Sequence, residues 1–299
     1  MHHLIRITGV RRGALVVMAA LTASLAVAVP ALATEHHPKG AFAPFADCPL
    51  SNPAVSQCVL ATTTSGEFTV GKKTVPINKT ITLQGGTITN PETGEVTFVA
   101  AEDGNTLSKT PETLPGGLLG VTAPSWWSQE AQEWFNKFIN EGLTGVTETT
   151  ELAGPASAIK LNLLNLLFKE GVALQLPVKV KLSNPLLGGS CYIGSESNPI
   201  VLHLTTGTTS PPEPNKPIEG SAGELKVEEE GALISLNGGS LVDNAFAAPA
   251  ATGCGGFLSF LVDPLVDSIM GVPAAAGHNT AILTGKLASA FAPAVKASE

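Results

Sequence analysis

The clearest alternation of hydrophobic and polar side chains lies in the middle of the chain, in residues 172–206. Its first eleven residues place an apolar side chain at every second position: Val172, Leu174, Leu176, Val178, Val180 and Leu182. A period of two predicts a strand with one buried and one exposed face. Asn-Pro and Gly-Gly turn signals then separate two shorter strands, 190–194 and 200–206. We therefore predict a three-stranded meander with Cys191 in its middle strand.

Shorter runs with the same period occur on both sides of this stretch. Residues 58–89 contain short alternating segments separated by turn signals. The other candidates are strands at 96–100, 146–153 and 279–287 and a hairpin within 223–236. Residues 107–124, rich in Thr, Pro and Gly, are predicted to be a connection. The whole pattern predicts a mainly β fold, an antiparallel β-sandwich-like domain.

A helical period begins near Ser125, a candidate N-cap, and stops at Gly142. Its apolar positions are Trp127, Ala131, Trp134, Phe135, Phe138 and Ile139. We favour a helix that packs on an open sheet; the alternative is an aromatic face for a membrane or an apolar ligand. Residues 155–170 fit a helix or a strand, with the helix favoured, and Asp263 begins a short helix. One or two amphipathic helices are thus expected on the sandwich.

The N-terminus has the pattern of a secretory signal peptide. Three arginines precede an uncharged run at 13–29, and Ala31-Leu32-Ala33 places small residues where a signal peptidase cleaves. A membrane anchor is the weaker interpretation because the apolar run is short. We predict residues 1–33 as the signal peptide, 34–46 as a flexible lead-in, 47–287 as a single β-rich domain and 288–299 as a flexible tail. The protein is expected to be extracellular or in the cell envelope.

Removal of the signal peptide changes the charge of the chain. All three arginines are lost, which leaves 14 lysines against 25 acidic residues and a net charge of −11. Nucleic-acid binding needs clustered Lys and Arg, so we exclude nucleic acid as a partner. Beyond Ala33 no uninterrupted apolar run is long enough to span a membrane. The partner stays unknown, with cell-wall or glycan contact as one candidate.

Four cysteines in an exported chain indicate two disulfides, which can pair in three ways. We favour Cys48 with Cys58, which closes a short loop, and Cys191 with Cys254, which joins the central meander to a glycine-rich turn. A metal site or a catalytic thiol is disfavoured because no Cys-x-x-Cys and no nearby histidine accompany these cysteines.

Sequence motifs for catalysis are absent. There is no Gly-x-Ser-x-Gly elbow, phosphate-binding loop or dinucleotide fingerprint, and His203 and His278 have no accompanying carboxylate pattern. Any two of the 25 acidic residues could meet in the fold, but nothing selects a pair; Asp263 and Asp267 are interpreted as capping and surface residues. We assign no catalytic, cofactor-binding or metal-binding residue and no cofactor.

Three segments carry a resemblance to a known group of proteins: PVKVKLSNPLLGGSCYIGSESNPIVLHLTTGTTSPPEPNKPI, NAFAAPAATGCGG and GVPAAAGHNTAILTGKL. They resemble secreted proteins of high-GC actinobacteria that have no assigned activity. The resemblance covers much of the C-terminal half and implies an exported protein with a shared scaffold. It supplies no catalytic residue.

Three functions remain open from the sequence. The favoured one is a non-enzymatic structural or binding protein of the extracellular space or envelope. The alternatives are a secreted glycan-active hydrolase, which needs a cleft with two carboxylates, and a carrier of apolar ligands, which needs an enclosed apolar cavity.

Overall fold

Two antiparallel seven-stranded sheets pack face to face in the computed structural model, which describes residues 36–299. The strands are β1 (Gln57–Val70), β2 (Lys73–Pro76), β3 (Ile81–Thr89), β4 (Val96–Ala100), β5 (Pro111–Thr113), β6 (Thr147–Leu152), β7 (Lys160–Leu161), β8 (Leu174–Ser183), β9 (Tyr192–Ile193), β10 (Ile200–Leu204), β11 (Glu224–Glu228), β12 (Leu233–Asp243), β13 (Ala251–Thr252) and β14 (Thr280–Phe291). The helices are α1 (Gln129–Asn140), α2 (Leu163–Phe168), α3 (Ser259–Met270) and α4 (Ala292–Ala297). The predicted β-sandwich-like fold is confirmed. The proposed signal peptide lies outside the described residues.

The first sheet has the order β11-β12-β14-β1-β3-β4, and β2 also pairs with β1. Its long strands β1, β12 and β14 contain many Thr, Ser and Gly residues. Gly285 of β14 lies between two β-bulges, one in β1 between Thr63 and Ser65 and one in β12 after Asn237. Bulges bend strands and increase their twist. The first sheet is therefore irregular along one line across three strands.

The second sheet has the order β13-β9-β8-β6-β5, with β7 and β10 also paired to β8. The alternation predicted for β8 is confirmed, since Leu174, Leu176, Val178, Val180 and Leu182 are all buried. The predicted meander is wrong, because β9 and β10 both pair with β8. The two short strands form one returning strand, interrupted by residues 194–199.

Both ends of the folded chain differ from the sequence expectation of flexible segments at 34–46 and 288–299. Strand β14 continues to Phe291, and α4 follows with Val295 fully buried. Phe42 and Phe45 of the lead-in belong to the same small core as Val295. The alanine-rich C-terminal segment is buried here because the aromatic side chains of the N-terminal segment cover it. The two segments are far apart in the sequence.

Helix α1 begins later than predicted and buries fewer of its side chains against the domain than predicted. Its N-cap is Ser128, whose side chain accepts a hydrogen bond from Ala131, instead of Ser125. Only Ile139 is buried in the helix, whereas Trp134 and Phe138 are about two-thirds exposed. The helix is held through its C-terminal end, where Asn140 accepts a hydrogen bond from the backbone of Gly116, and not through a broad aromatic face. Within residues 36–299 no helix has the length and apolarity needed to span a membrane.

The predicted disulfide pairing is confirmed. Cys48 is bonded to Cys58 and Cys191 to Cys254, and no cysteine of the described part of the chain is free. The second bond joins residues 63 positions apart. Chain entropy alone then contributes about 4 kcal/mol to the free energy of unfolding.

Candidate functional site

A cavity of about 80 Å³ lies between the two sheets. Its lining is mainly apolar and comes from both sheets and the connections beside them: Ala61, Phe68, Ile77, Ile81, Leu83, Leu107, Leu174, Leu176, Leu202, Leu241 and Leu283. The polar lining residues are Thr63, Thr110, Thr150, Glu112 and Glu148. An interior space with an apolar surface and a few polar groups is the usual form of a small-molecule site.

Two glutamates form part of one wall of this cavity. Glu112 of β5 lies directly opposite Glu148 of β6 in the antiparallel register. Directly opposite residues share one face of a sheet, with their Cβ atoms about 5 Å apart. Both are buried, with 4% and 6% of the residue surface exposed. Buried acidic residues without a basic partner are rare in protein cores, so this pair is the first candidate for function.

Glu112 is fixed by the backbone of a neighbouring loop. Its Oε1 atom accepts hydrogen bonds from the amides of Asn78, at 2.9 Å, and Lys79, at 2.6 Å. The ammonium group of Lys79 donates instead to the carbonyl of Pro111. One oxygen of Glu112 is therefore occupied by the protein, while the side chain keeps a fixed position in the cavity wall.

Glu148 has no such support. Among residues 36–299 its carboxyl group has no hydrogen bond or ion pair, and its oxygens are not among the fully enclosed atoms that lack partners. Its oxygens therefore border open space in the cavity. Burial, and secondarily the negative charge of Glu112, raises the pKa of Glu148 from 4.5 to about 8. At pH 7 the Glu148 carboxyl is consequently mostly protonated.

The irregular line across the first sheet borders the interior space. A second cavity of about 50 Å³ shares Ala61, Thr63, Leu241 and Leu283 with the first and is also lined by Gly285. The bulges beside Gly285 thus lie where the two sheets fail to close completely. The bulges therefore border the cavity of about 50 Å³, which adjoins the space beside the carboxyl pair.

Larger concave regions lie on the outside, next to α2. A mainly apolar region of about 210 Å³ is lined by Leu163, Leu167 and Phe291, and a more polar one of about 540 Å³ by Lys160 and Gln175. Both regions also contact Leu164 and Gln57. These regions offer surface for contact, but their lining in the described structure brings no pair of titratable groups together.

The residues considered from sequence do not form a site. His203 is exposed, with its backbone amide donating to Asp243, and His278 is exposed in a loop. Asp263 accepts backbone hydrogen bonds from Gly253 and Cys254, and Asp267 accepts one from Ala251, so both hold the turn around the second disulfide. In the described part of the chain no three His, Cys, Asp or Glu side chains are grouped as a metal site would require.

Sequence reasoning missed both glutamates of the cavity. Glu148 has a detectable signal, because it shares the inward face of β6 with Thr150 and Leu152, where an apolar residue is expected. Glu112 has no detectable signal in the sequence, because its three-residue strand lies in the segment predicted as a connection.

The chain matches no protein-family model, no curated protein and no solved structure at a significant level. Its function must therefore be argued from the cavity and its two carboxyl groups.

Proposed function

We propose that the protein is an exported, non-enzymatic binding protein of the extracellular space or cell envelope that holds a small apolar ligand between its two sheets. The observation that carries this proposal is the apolar cavity into which Glu148 presents a carboxyl group that has no partner among residues 36–299. We also include in this proposal that the protein is related to the actinobacterial secreted proteins that its sequence resembles.

The unpartnered carboxyl supports a ligand because it is costly in the empty protein. A buried polar group without a hydrogen bond costs about 1–3 kcal/mol. An apolar side chain at position 148 would avoid this cost and would fill part of the cavity. Local features that lower stability without a visible compensation are typical of functional sites. A ligand with an apolar body and a polar end would supply the missing partner.

Export is supported by the charge and hydropathy pattern of residues 1–33 and by the two disulfides. Disulfides persist in oxidising compartments and are rare in the cytosol. A ligand-binding protein outside the cell is consistent with both features.

A glycan hydrolase is the second candidate, favoured by the facing carboxyl groups of Glu112 and Glu148. Glycosidases use two carboxyl groups in unlike environments as acid and base. The cavity is small for this role, because pockets for drug-sized ligands have volumes of about 300–1,000 Å³. The volume of about 80 Å³ suits a ligand of a few heavy atoms.

Binding of small apolar compounds to the purified exported protein tests the proposal. Benzene, xenon and n-butanol are added while the methyl NMR signals of Ile77 and Ile81 are followed. We expect saturable shifts that are lost in Ala61→Leu, which fills the cavity, and kept in Ala247→Leu, which changes an exposed alanine. No saturable shift with any compound would reject the proposal. Release of reducing sugars from cell-wall glycans, lost in Glu148→Gln, would favour the hydrolase.

A further inference from the structure

We propose that Glu112 and Glu148 together bind the ammonium group of a small amine whose apolar part occupies the cavity. The inference rests on the proposed function for the presence of a ligand between the sheets. It adds the chemical class of that ligand, a primary alkylammonium ion.

The available hydrogen-bonding groups of the pair are acceptors once both carboxyls are ionised. One oxygen of Glu112 is taken by two backbone amides, which leaves the second oxygen of Glu112 and both oxygens of Glu148. Among residues 36–299 neither carboxyl has a cationic partner within ion-pair distance. An ammonium group brings three N–H donors and one positive charge. It therefore matches the three vacant acceptors in number, and its single positive charge takes the place of the proton that Glu148 loses.

The charge of the site disfavours other ligand classes. A carboxylate or phosphate would meet like charge in a low-dielectric space, which is strongly repulsive. A neutral alcohol fits sterically, but it brings one O–H donor and no positive charge to the ionised Glu112. Ca²⁺ needs six to eight oxygen ligands, whereas most of the lining is aliphatic or aromatic. An organic cation satisfies both the carboxyl wall and the apolar walls.

Among residues 36–299 the surroundings contain no other group that would neutralise the pair. From β8, Leu182 lies opposite Glu148 in the register, and the cavity residues of the first sheet are apolar or threonine. The charged group beside Glu112 is Lys79, and its ammonium group is engaged with the carbonyl of Pro111. The titratable groups that line the site in the described residues are thus the two glutamates.

Binding exchanges one cation for another. In the empty protein at neutral pH a proton occupies Glu148, whose pKa is raised to about 8. When an alkylammonium ion enters, this proton leaves for the solvent and both carboxyls become ionised. The affinity should therefore rise about tenfold per pH unit between pH 6 and 7.5 and level off above pH 8. An alkylamine, like a lysine side chain, remains protonated to about pH 10.

Calorimetric titration of the exported protein with n-alkylammonium ions, from ethyl to hexyl, tests the inference. The n-alcohols and the carboxylates of equal chain length are the comparison ligands. We expect alkylammonium binding at least tenfold tighter than alcohol binding at pH 8. At pH 6.5, titrations in buffers of different ionisation enthalpy should detect release of about one proton.

The variants distinguish an effect of the carboxyl pair on binding from a general effect of the protein's negative charge. Glu148→Gln and Glu112→Gln should each weaken alkylammonium binding at least tenfold, while alcohol binding changes less than twofold. Glu151→Gln removes a charge from β6, the strand of Glu148, at a position outside the cavity. It should leave the affinities for alkylammonium ions and for alcohols unchanged. Circular dichroism establishes that each variant is folded.

The outcomes distinguish the two proposals. Alcohols that bind as tightly as the ammonium ions, or full alkylammonium affinity in folded Glu148→Gln, would overturn the ammonium site and leave the apolar-ligand function standing. Failure of every ligand, whatever its polar end, would overturn both.

Discussion

Glu112 and Glu148 face each other across neighbouring strands, yet within the described part of the chain only Glu112 receives hydrogen bonds from the protein. The asymmetry arises because the loop at residues 78–79 reaches β5, at the edge of the second sheet, and does not reach β6. The Glu112 carboxyl thus accepts hydrogen bonds from backbone amides, whereas the Glu148 carboxyl borders the cavity. A pair in unlike environments is the arrangement that separates the protonation states of two equal groups.

The folded protein should become less stable as the pH rises from about 4.5 to about 8. The pKa of Glu148 is near 4.5 when unfolded and is raised to about 8 in the fold, by burial first and by the charge of Glu112 second. The folded state therefore binds more protons in this interval, and the free energy of unfolding falls by up to about 5 kcal/mol. Urea unfolding at pH 5, 6, 7, 8 and 9 measures this slope.

The matched variant for this prediction is Glu148→Gln, which keeps the side-chain shape and cannot titrate. Its stability should vary much less between pH 5 and pH 8, while Glu151→Gln should follow the unmodified protein. Equal slopes in all three proteins would show that Glu148 is not the group responsible.

The second disulfide and Asp263 should stabilise the same turn. Asp263 accepts hydrogen bonds from the amides of Cys254, at 2.7 Å, and Gly253, at 3.3 Å. Replacing Cys191 and Cys254 together by serine should lower the free energy of unfolding by about 4 kcal/mol. Asp263→Asn should cost about 1–2 kcal/mol, since it loses charge-assisted hydrogen bonds. Thermal unfolding measures both, and an unchanged melting temperature in either variant would contradict this account.

Parts of the fold that depend on local pattern were predictable from sequence. The alternation of β8 is strict, so its buried face follows from residue spacing alone. The cysteine pairing was predictable because one pair closes a short loop and the other joins two turn-rich segments. The signal for β6 was also sufficient to place a strand there.

Parts that depend on contacts between distant segments were not predictable. The burial of α4 requires Phe42 and Phe45, more than 200 residues away in the sequence. The carboxyl pair requires a three-residue strand, β5, to pair with β6 in one register. A shift of one residue would turn Glu112 out of the cavity. Neither relationship leaves a periodic signal in the chain.

Helix α1 should contribute to stability through Ile139 and very little through its exposed aromatic residues. Ile139 is 4% exposed and Phe138 is 65% exposed, where it stacks on Trp134. Ile139→Ala should lower the free energy of unfolding by about 2–4 kcal/mol. Phe138→Ala should lower it by no more than about 1 kcal/mol. Urea unfolding measures both variants. A larger loss for Phe138→Ala would mean that the aromatic face packs on the domain, as the sequence pattern favours.

The line of bulges across the first sheet should depend on Gly285. A Cβ atom at this position would lie 1.8 Å from the carbonyl oxygen of Thr62, which belongs to the backbone of β1 and has little freedom to move. Gly285→Ala must therefore separate β14 from β1 and should cost about 3 kcal/mol. The matched control is Gly189→Ala, where the added atom meets nothing within 4 Å. Urea unfolding compares the two variants. A Gly285→Ala variant as stable as its control would contradict the close approach of the strands beside the cavity.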